Sequence, residues 1–510
     1  VAAVPVLSVT LAHSGTFAAG QSGGSLSVTV SNSGAASTSG TVTVIIGLPT
    51  GLSSSSVSGA GWTCASLQCT RSTALAVGSS YPVITASLTL AQNAASPLTV
   101  QASVSGGGSA PAASSDSISW SSGLGFYLLP AACRAVDTRP DQGKTGPFGP
   151  PALAAYSERS FPIGSSPCGV PSTAQVLALN VTAAPLGPLD FLSIWPAGQF
   201  YPGVSTLNST DGALIANMAI IPAGTSTSVT AAAGKPTHII FDVNGYFAAS
   251  SASELAYYPI TPCRAVDTRP EQGKTGPFGP PVLGAYSERS FPLLTSGCQL
   301  PSTAAAYALN ITAGPKLGAL SFLSAWPAGQ YYPGVSTLNS PNGAMIANAA
   351  IVGAGTNGGV TLAAGEPTDI IMDVNGYFAP PSTGGLHFYP LNMCRVVDTR
   401  TDQGKTGAFG PPYLGAYSQR NFPISSGACN VPSTAQVYSL NVTVIPKGPL
   451  DFLSIWPAGQ PYPGVSTLNS PNGVTLANAA LIQAGTGGAI TVVAGKPTEL
   501  IIDVNGYFAP

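Results

Sequence analysis

Residues able to do acid–base or nucleophilic chemistry are scarce in this 510-residue chain, because only 7% of it is charged and it has three histidines. His13, His238 and His387 occupy unrelated positions in the internal repeats of the chain, so no Ser-His-Asp triad can recur with them. Gly143-Lys144-Thr145 resembles the end of a phosphate-binding loop, but Thr138 stands where the first glycine is required. We therefore expect a protein that is not an enzyme and that has no catalytic residue, metal site or cofactor.

The eight cysteines suggest disulfides instead of a metal site. They fall into four pairs, and three of these have the same separation of 35 residues: Cys64 with Cys69, Cys133 with Cys168, Cys263 with Cys298, and Cys394 with Cys429. A metal site is the alternative, but no histidine recurs with the pairs and no CxxC is present. Disulfides within each segment predict an oxidising compartment outside the cytoplasm.

An internal repeat sets the domain organisation. The sequence DVNGYF occurs at 242–247, 373–378 and 503–508, and Trp195 and Trp326 are separated by 131 residues. A period of this length fits a whole domain. The sequence therefore predicts an N-terminal domain at 1–122 and repeats at 125–248, 255–379 and 386–510, joined by short linkers near 121–124, 250–254 and 380–385.

The sequence predicts that strands are the elements that position the residues named above. Short β-type runs at 26–31, 41–46 and 98–104 alternate with Gly, Ser and Pro turns, which is typical of a sandwich. Within the third repeat, apolar residues alternate with Ser439, Asn441 and Thr443, which predicts a half-buried strand. The mostly apolar run 239–243 predicts a central strand that is buried on both faces. We expect an all-β chain of four β-sandwich domains in tandem, the first immunoglobulin-like and the others jelly-roll-like.

Charge excludes some partners. A net charge of -2 gives no electrostatic case for nucleic acid or an anionic membrane, and no run of about 18 apolar residues predicts a membrane span. The N-terminal residues lack a signal peptide's basic and apolar regions, so we expect a mature secreted chain.

Basic residues recur at fixed positions of the repeats. We expect buried pairs with Asp242, Asp373 and Asp503; an anion site built by the arginines is the alternative.

Two further patterns mark candidate sites. Four asparagines fit the glycosylation sequon, although strand asparagines are common without a glycan: Asn180, Asn208, Asn310 and Asn441. The window WPAGQxYPGVSTLNS recurs at 195–209, 326–340 and 456–470 with a single variable position. It predicts either one contact repeated between neighbouring repeats or an aromatic platform for a sugar ring, and we expect its tryptophans to be buried. The candidate contact residues are Trp195, Tyr201, Trp326, Tyr332, Trp456 and Tyr462.

Two resemblances bear on these expectations. The order LPTGL at 48–52, GWTC at 61–64 and Cys69 resembles the immunoglobulin-like domain of unknown function found in bacterial surface proteins, which implies a β-sandwich spacer or adhesive module without catalysis. The motifs CRxxDTR, WPAGQ, VSTLN, ANAAI and DVNGYF resemble a tandem repeat domain of secreted soil-bacterial proteins. The fourth motif departs as ANMAI at 216–220 and ANAAL at 477–481. This resemblance implies an extracellular protein and no established activity.

Two functions follow as hypotheses. The first is a structural subunit of an extracellular filament or surface layer that assembles head to tail with itself, because few charges oppose association and heterologous contacts that do not close give open filaments. The uncharged segment Val4 to Leu11 could add as a strand to the next molecule. The alternative is a multivalent surface adhesin or carbohydrate-binding protein whose partner is a cell-surface or extracellular polysaccharide.

Overall fold

The β-rich pattern of the sequence is realised throughout the structure, a computed structural model that describes residues 3–14, 22–91, 97–118 and 123–510. Strands make up 54% of it, all sheets are antiparallel, and no α-helix is found in the described residues, so the all-β prediction is confirmed. The chain divides into two compact units, Val1–Gly123 and Leu124–Pro510. Half of the linker expected near 121–124, residues 121 and 122, lies outside the described residues.

The N-terminal unit is a sandwich of two sheets around an apolar core. Its strands are β1 (Leu7–Ser14), β2 (Ser22–Asn32), β3 (Val42–Gly47), β4 (Leu52–Gly59), β5 (Thr63–Ala65), β6 (Gln68–Arg71), β7 (Ile84–Leu90), β8 (Leu98–Gly106) and β9 (Ser109–Ile118). One sheet has the order β1-β2-β7-β4 and the other β5-β6-β3-β8-β9. Inward-facing apolar residues such as Val28, Val44 and Ile84 are fully buried between them.

The segment expected to donate a strand to another molecule belongs to this sandwich. Strand β1 pairs with β2 along its whole length, from Leu7 opposite Asn32 to Ser14 opposite Ser25. Alternate residues of β1, Leu7 and Val9, are buried in the core of the unit. Val4 to Leu11 is therefore not a free strand here, and donation to another molecule would require it to leave its own sandwich.

Each repeat of the C-terminal unit also has two sheets. In the first repeat the strands are β10 (Leu124–Asp137), β11 (Glu158–Phe161), β12 (Val176–Pro185), β13 (Leu189–Pro196), β14 (Leu207–Ser209), β15 (Ile215–Pro222), β16 (Val229–Ala233) and β17 (Thr237–Ala249). The inner sheet has the order β15-β12-β17-β10 and the outer sheet β11-β16-β13-β14. The run 239–243 lies in β17 between two neighbours and is buried, as its apolar composition predicts.

The other two repeats have the same order of strands. The second contains β18 (Ala256–Asp267), β19 (Glu288–Pro292), β20 (Ala306–Pro315), β21 (Leu320–Pro327), β22 (Leu338–Ser340), β23 (Ile346–Gly353), β24 (Gly359–Ala364) and β25 (Thr368–Ala379). The third contains β26 (His387–Asp398), β27 (Arg420–Phe422), β28 (Val437–Pro446), β29 (Leu450–Pro457), β30 (Leu468–Ser470), β31 (Leu476–Gln483), β32 (Ile490–Ala494) and β33 (Thr498–Ala509). Short 3-10 turns join the strands at Gly146–Phe148, Ile163–Ser165, Pro270–Gln272, Gly276–Phe278, Leu293–Thr295, Thr356–Gly358, Gly407–Phe409, Ile424–Ser426 and Thr486–Gly488.

The three repeats close into a ring through equivalent backbone pairings. Phe126 of the first repeat pairs with Leu255, which begins the second, and Tyr257 pairs with Leu386, which begins the third. The third repeat returns to the first, because Leu124 of β10 pairs with Phe388 of β26. Repeats predicted at 125–248, 255–379 and 386–510 thus form one compact unit instead of separate beads on short linkers, and the inner sheets of the first and third repeats join into one eight-stranded sheet.

An aromatic cluster fills the centre of this ring. Each repeat contributes two rings, and neighbouring ring centroids lie 4.5–6.4 Å apart. The six residues are Phe126, Phe247, Tyr257, Phe378, Phe388 and Phe508, all almost fully buried. Rings of this size dominate the burial of apolar area. The cluster therefore holds the three inner sheets together around an approximate threefold axis.

The closed arrangement of the three repeats shows that the prediction of half-buried strands is wrong. Strand β28 carries the alternation of apolar and polar residues, yet its first eight residues are all buried. Leu440 and Val442 are buried, Val437 belongs to the central cluster, and Asn441 contacts another repeat. The polar face meets a neighbouring repeat instead of water, so period two does not mark a solvent-exposed face here.

Candidate functional site

The contact between two neighbouring repeats, called a seam here, is built from buried asparagines. In seam 1, between the first and second repeats, the Asn180 Nδ2 donates to the Ser336 carbonyl oxygen at 2.8 Å. The Asn348 Nδ2 donates to the Asn180 Oδ1 at 2.8 Å, and the Asn348 Oδ1 accepts the Met218 backbone N–H at 3.0 Å. Met218 lies on β15, the edge strand of the inner sheet. The neighbouring repeat thus satisfies an edge N–H that would otherwise be open.

The other two seams repeat this pattern with the same geometry. Seam 2, between the second and third repeats, uses Asn310, Ser466, Asn478 and the Ala349 N–H, and seam 3, between the third and first, uses Asn441, Ser205, Asn217 and the Ala479 N–H. The three contacts are head-to-tail and close on themselves within one chain. In each contact the aromatic window contributes the backbone carbonyl oxygen of its serine.

Burial of the sequon asparagines corrects the glycan prediction. Asn180, Asn310 and Asn441 are at most 6% exposed, and their amides bond across the seams. Asn208 is 8% exposed, and its Nδ2 donates to the Asp190 carbonyl oxygen at 2.6 Å. A glycan on these amides would displace a neighbouring repeat or strand, so the packing is incompatible with glycan attachment at all four positions.

The DVNGYF motif can be explained residue by residue in the first repeat. Asp242 accepts two hydrogen bonds from Arg134, Nε at 2.9 Å and Nη2 at 3.2 Å. A side chain at Gly245 would collide with the ring of Phe126, so only glycine fits beside the central cluster. Tyr246 stacks on Tyr127 with ring centroids 5.2 Å apart. Asn244 is the exception, because no hydrogen bond to its side-chain amide is found among the described residues.

Asn244 sits at a β-bulge. Strand β12 pairs Ala178 with Gly245 and Leu179 with Val243, which leaves Asn244 as the extra residue of β17. The same irregularity recurs at Asn375 and Asn505. A bulge re-aims a side chain. Each of these asparagines lines a cleft at a seam: Asn244 at seam 1, Asn375 at seam 2 and Asn505 at seam 3.

The three clefts differ in size. The cleft of seam 1 has a volume of about 30 Å³, whereas those of seams 2 and 3 have about 10 Å³ each. Opposite the bulge, the residue before the first cysteine of each repeat is Ala132, Pro262 or Met393, and each lines its own cleft. Alanine leaves space that the larger side chains occupy. A cavity needs about 10–15 Å³ for one water, so only seam 1 has room for a group larger than a water molecule.

The recurring arginines are occupied by the protein itself. Besides binding Asp242, Arg134 places its Nη1 3.4 Å from Asp137 Oδ2. The same Asp137 oxygen lies 2.7 Å from Arg139 Nη2. Burial raises the pKa of Asp242, and the Arg134 hydrogen bonds oppose that rise. Arg159 donates to backbone carbonyl oxygens, including that of Pro151 at 2.7 Å. The expected Asp–Arg pairs recur with Asp373 and Asp503. With these donors engaged, the arginines do not form the alternative anion site.

The aromatic window places a buried tryptophan beneath exposed tyrosines. Trp195, Trp326 and Trp456 are 1–2% exposed, which confirms that they are core residues. Their companions in the predicted contact, Tyr201, Tyr332 and Tyr462, are 45–48% exposed and pack edge-on against the tryptophans at 5.4–5.5 Å. The hydrogen bond that the window makes across each seam is thus through the backbone carbonyl of its serine, whereas its tyrosines, which were predicted to form a contact, face solvent.

A second tyrosine extends this exposed area. Tyr156 is 71% exposed. The ring centroid of Phe191 lies 6.2 Å from that of Tyr156 and 6.2 Å from that of Tyr201. We call Tyr156, Phe191 and Tyr201 the aromatic surface of the first repeat; those of the others are Tyr286, Phe322 and Tyr332, and Tyr417, Phe452 and Tyr462. Tyr156, Tyr286 and Tyr417 have φ values of 51–55°. Such backbone strain in a bulky residue clusters at functional sites.

The predicted cysteine pairs are all confirmed as disulfides: Cys64–Cys69, Cys133–Cys168, Cys263–Cys298 and Cys394–Cys429. Sequence reasoning missed the bulge asparagines and the seam asparagines Asn217, Asn348 and Asn478. Their signal was present, because both types stand in motifs that recur in every repeat. Within the described ranges, no cluster of His, Cys, Asp and Glu is placed to hold a metal ion.

No protein-family model and no curated protein matches this chain. The part of the chain that the structure describes contains no helix long and apolar enough to cross a membrane. The four disulfides indicate a compartment that is not the reducing cytoplasm. Function must therefore be argued from the clefts and the aromatic surfaces.

Proposed function

We propose that this protein is an extracellular binding protein without enzymatic activity, and that its three aromatic surfaces bind a neutral polysaccharide. The observation that carries the proposal is the repetition of an exposed tyrosine with a strained backbone, Tyr156, Tyr286 or Tyr417, beside a phenylalanine and a second tyrosine. Flat rings at the surface offer the apolar contact that the faces of sugar rings need, and their hydroxyl groups add hydrogen bonds.

The arrangement of the surfaces favours a polymeric ligand. All three belong to one compact unit held by closed seams, so their spacing is fixed. A polymer with repeated binding units can engage several surfaces at once, and each further contact is then intramolecular, which raises avidity. The low charge of the chain, 7% with a net charge of -2, matches a neutral polymer better than an acidic one.

The test is binding of the purified protein to a panel of neutral and acidic polysaccharides by affinity electrophoresis and sedimentation. Replacing Tyr156, Tyr286 and Tyr417 together by alanine is expected to weaken polymer binding at least tenfold, whereas each single replacement weakens it less. Leu317→Ala is the matched control, because Leu317 is 78% exposed in the same unit and outside the aromatic surfaces. Unchanged binding by the triple variant, or no binding to any polysaccharide, would refute the proposal.

A second candidate is a structural subunit of a filament or surface layer that assembles with itself. It is favoured by Phe200 and Tyr331, which are 98% and 95% exposed, on a chain with few charges to oppose association. The seam contacts are used within the chain, and we propose that assembly uses these outer aromatic residues instead. Replacing both by serine should abolish sedimentable assemblies of the concentrated protein; a wild-type protein that stays monomeric excludes this candidate.

A further inference from the structure

The cleft of seam 1 and the aromatic surface of the second repeat are adjacent. Trp326 lines the cleft, and Tyr332 packs edge-on against Trp326 with ring centroids 5.5 Å apart. Tyr332 also lies within electrostatic reach of Arg134, which belongs to the repeat across the seam. A ligand lying on Tyr332 can therefore place a small substituent in the cleft.

The lining of the cleft restricts the chemistry of that substituent. Most of the wall is apolar and includes Leu128, Trp326 and Val335. The polar groups Asn180 and Asp242 also line it, but they are already bound to the Ser336 carbonyl and to Arg134. The amide of Asn244 has no such partner among the residues that the structure describes, and it offers both a donor and an acceptor. A matching group is small, apolar at one end, and able to donate and accept a hydrogen bond at the other.

We propose that this cleft binds the acetamido group of an N-acetylated amino sugar in a neutral polysaccharide. The methyl group lies among the apolar residues, the amide pairs with Asn244, and the sugar ring lies against Tyr332. A cavity of about 30 Å³ fits a substituent of this size, but not a whole sugar ring. This inference rests on the proposed polysaccharide binding and names the sugar that one site selects.

Only seam 1 carries the selective site. Asn375 and Asn505 occupy the same bulge at the other seams, but Pro262 and Met393 fill the space that Ala132 leaves open. The structure therefore assigns one acetamido site to each chain. It also supplies matched variants, because methionine is already accommodated at the equivalent position of the third repeat.

The test compares an N-acetylglucosamine oligosaccharide with a glucose oligosaccharide of equal length and linkage by isothermal titration of the full chain. The wild-type protein is expected to bind the acetylated oligosaccharide at least tenfold more tightly, with one selective site. Ala132→Met should reduce its affinity to that of the glucose oligosaccharide. Met393→Ala opens the third cleft beside Asn505 and should add a second selective site.

Asparagine variants test the hydrogen bond itself. Asn244→Ala is expected to weaken binding of the acetylated oligosaccharide at least tenfold, because it removes both the donor and the acceptor that pair with the acetamido group. Asn375→Ala changes the same bulge at a filled cleft and should have no effect. Circular dichroism and thermal unfolding confirm that each variant is folded before it is titrated.

The outcomes separate this inference from the proposed function. Equal affinity for the two oligosaccharides, or an Ala132→Met variant that keeps the preference, overturns the acetamido site while tyrosine-dependent polysaccharide binding stands. The cleft then holds water only. Absence of binding to any saccharide overturns both. A preference for the acetylated oligosaccharide that is lost in Ala132→Met and doubled in stoichiometry in Met393→Ala supports the site.

Discussion

Replacing Asn348 by alanine should weaken a repeat that does not contain the substitution. Asn348 is 1% exposed in seam 1. Its amide donates to Asn180 Oδ1 at 2.8 Å and to the Thr337 carbonyl at 2.7 Å, and its Oδ1 accepts the Met218 N–H at 3.0 Å. Alanine leaves these three buried groups without a partner. At about 1–3 kcal/mol for each unsatisfied group, with water entering the space, we expect a loss of about 3–5 kcal/mol in the free energy of unfolding.

The distinctive measurement is amide hydrogen exchange in the neighbouring repeat. Met218 lies in β15 of the first repeat and loses its hydrogen-bond acceptor, so exchange of that amide should accelerate about 5- to 30-fold, corresponding to about 1–2 kcal/mol. Strand β31 is an internal control, because its Ala479 N–H is bound by Asn217 and not by Asn348. Gln272→Ala, at an exposed position of the second repeat, controls for a substitution outside the seams.

Two results would refute the role of this seam. Exchange in β15 that is unchanged by Asn348→Ala would mean that the side chain does not protect the edge of the neighbouring sheet. Equal acceleration in β15 and β31 would mean that the substitution loosens the whole unit instead of one seam. A stability loss no larger than that of Gln272→Ala would show that water replaces the missing amide without cost.

Three further predictions concern stability. Replacing Cys133 and Cys168 by alanine should lower the free energy of unfolding by about 4 kcal/mol, measured with urea, because their bridge closes a 35-residue loop; a loss below about 1 kcal/mol would contradict this. Gly376→Ala should cost about 1–3 kcal/mol, since the added methyl collides with the Tyr257 ring, and an unchanged thermal midpoint would disprove the packing argument. Burial raises the pKa of Tyr307 to about 12. Its phenol ionises near 10 when unfolded, so it should contribute a stability loss of about 1.4 kcal/mol for each pH unit between 10 and 12. Tyr307→Phe should reduce this alkaline slope, and an identical slope in both proteins would be evidence against it.

Local features of the sequence were sufficient for much of the fold. Two cysteines in each segment predict all four disulfides, because each segment contains only one possible pair, and the equal spacing of 35 residues supports the three pairs of the repeats. Few charges in an apolar sandwich require partners, which predicts the pairing of Asp242 with an arginine. The mostly apolar run 239–243 predicts a central strand, because its apolar residues do not alternate with polar ones and so fall on both faces of the strand.

The tertiary structure alone decided which polar faces meet water. Asn441 has the same local pattern whether its strand faces solvent or another repeat, and only the ring closed by Leu124 and Phe388 buries it against Ser205. The size of each cleft likewise depends on the residue that packs across the bulge, Ala132 at seam 1 and Met393 at seam 3. Both features arise from contacts between residues far apart in the chain, and periodicity within a strand carries no information about such contacts.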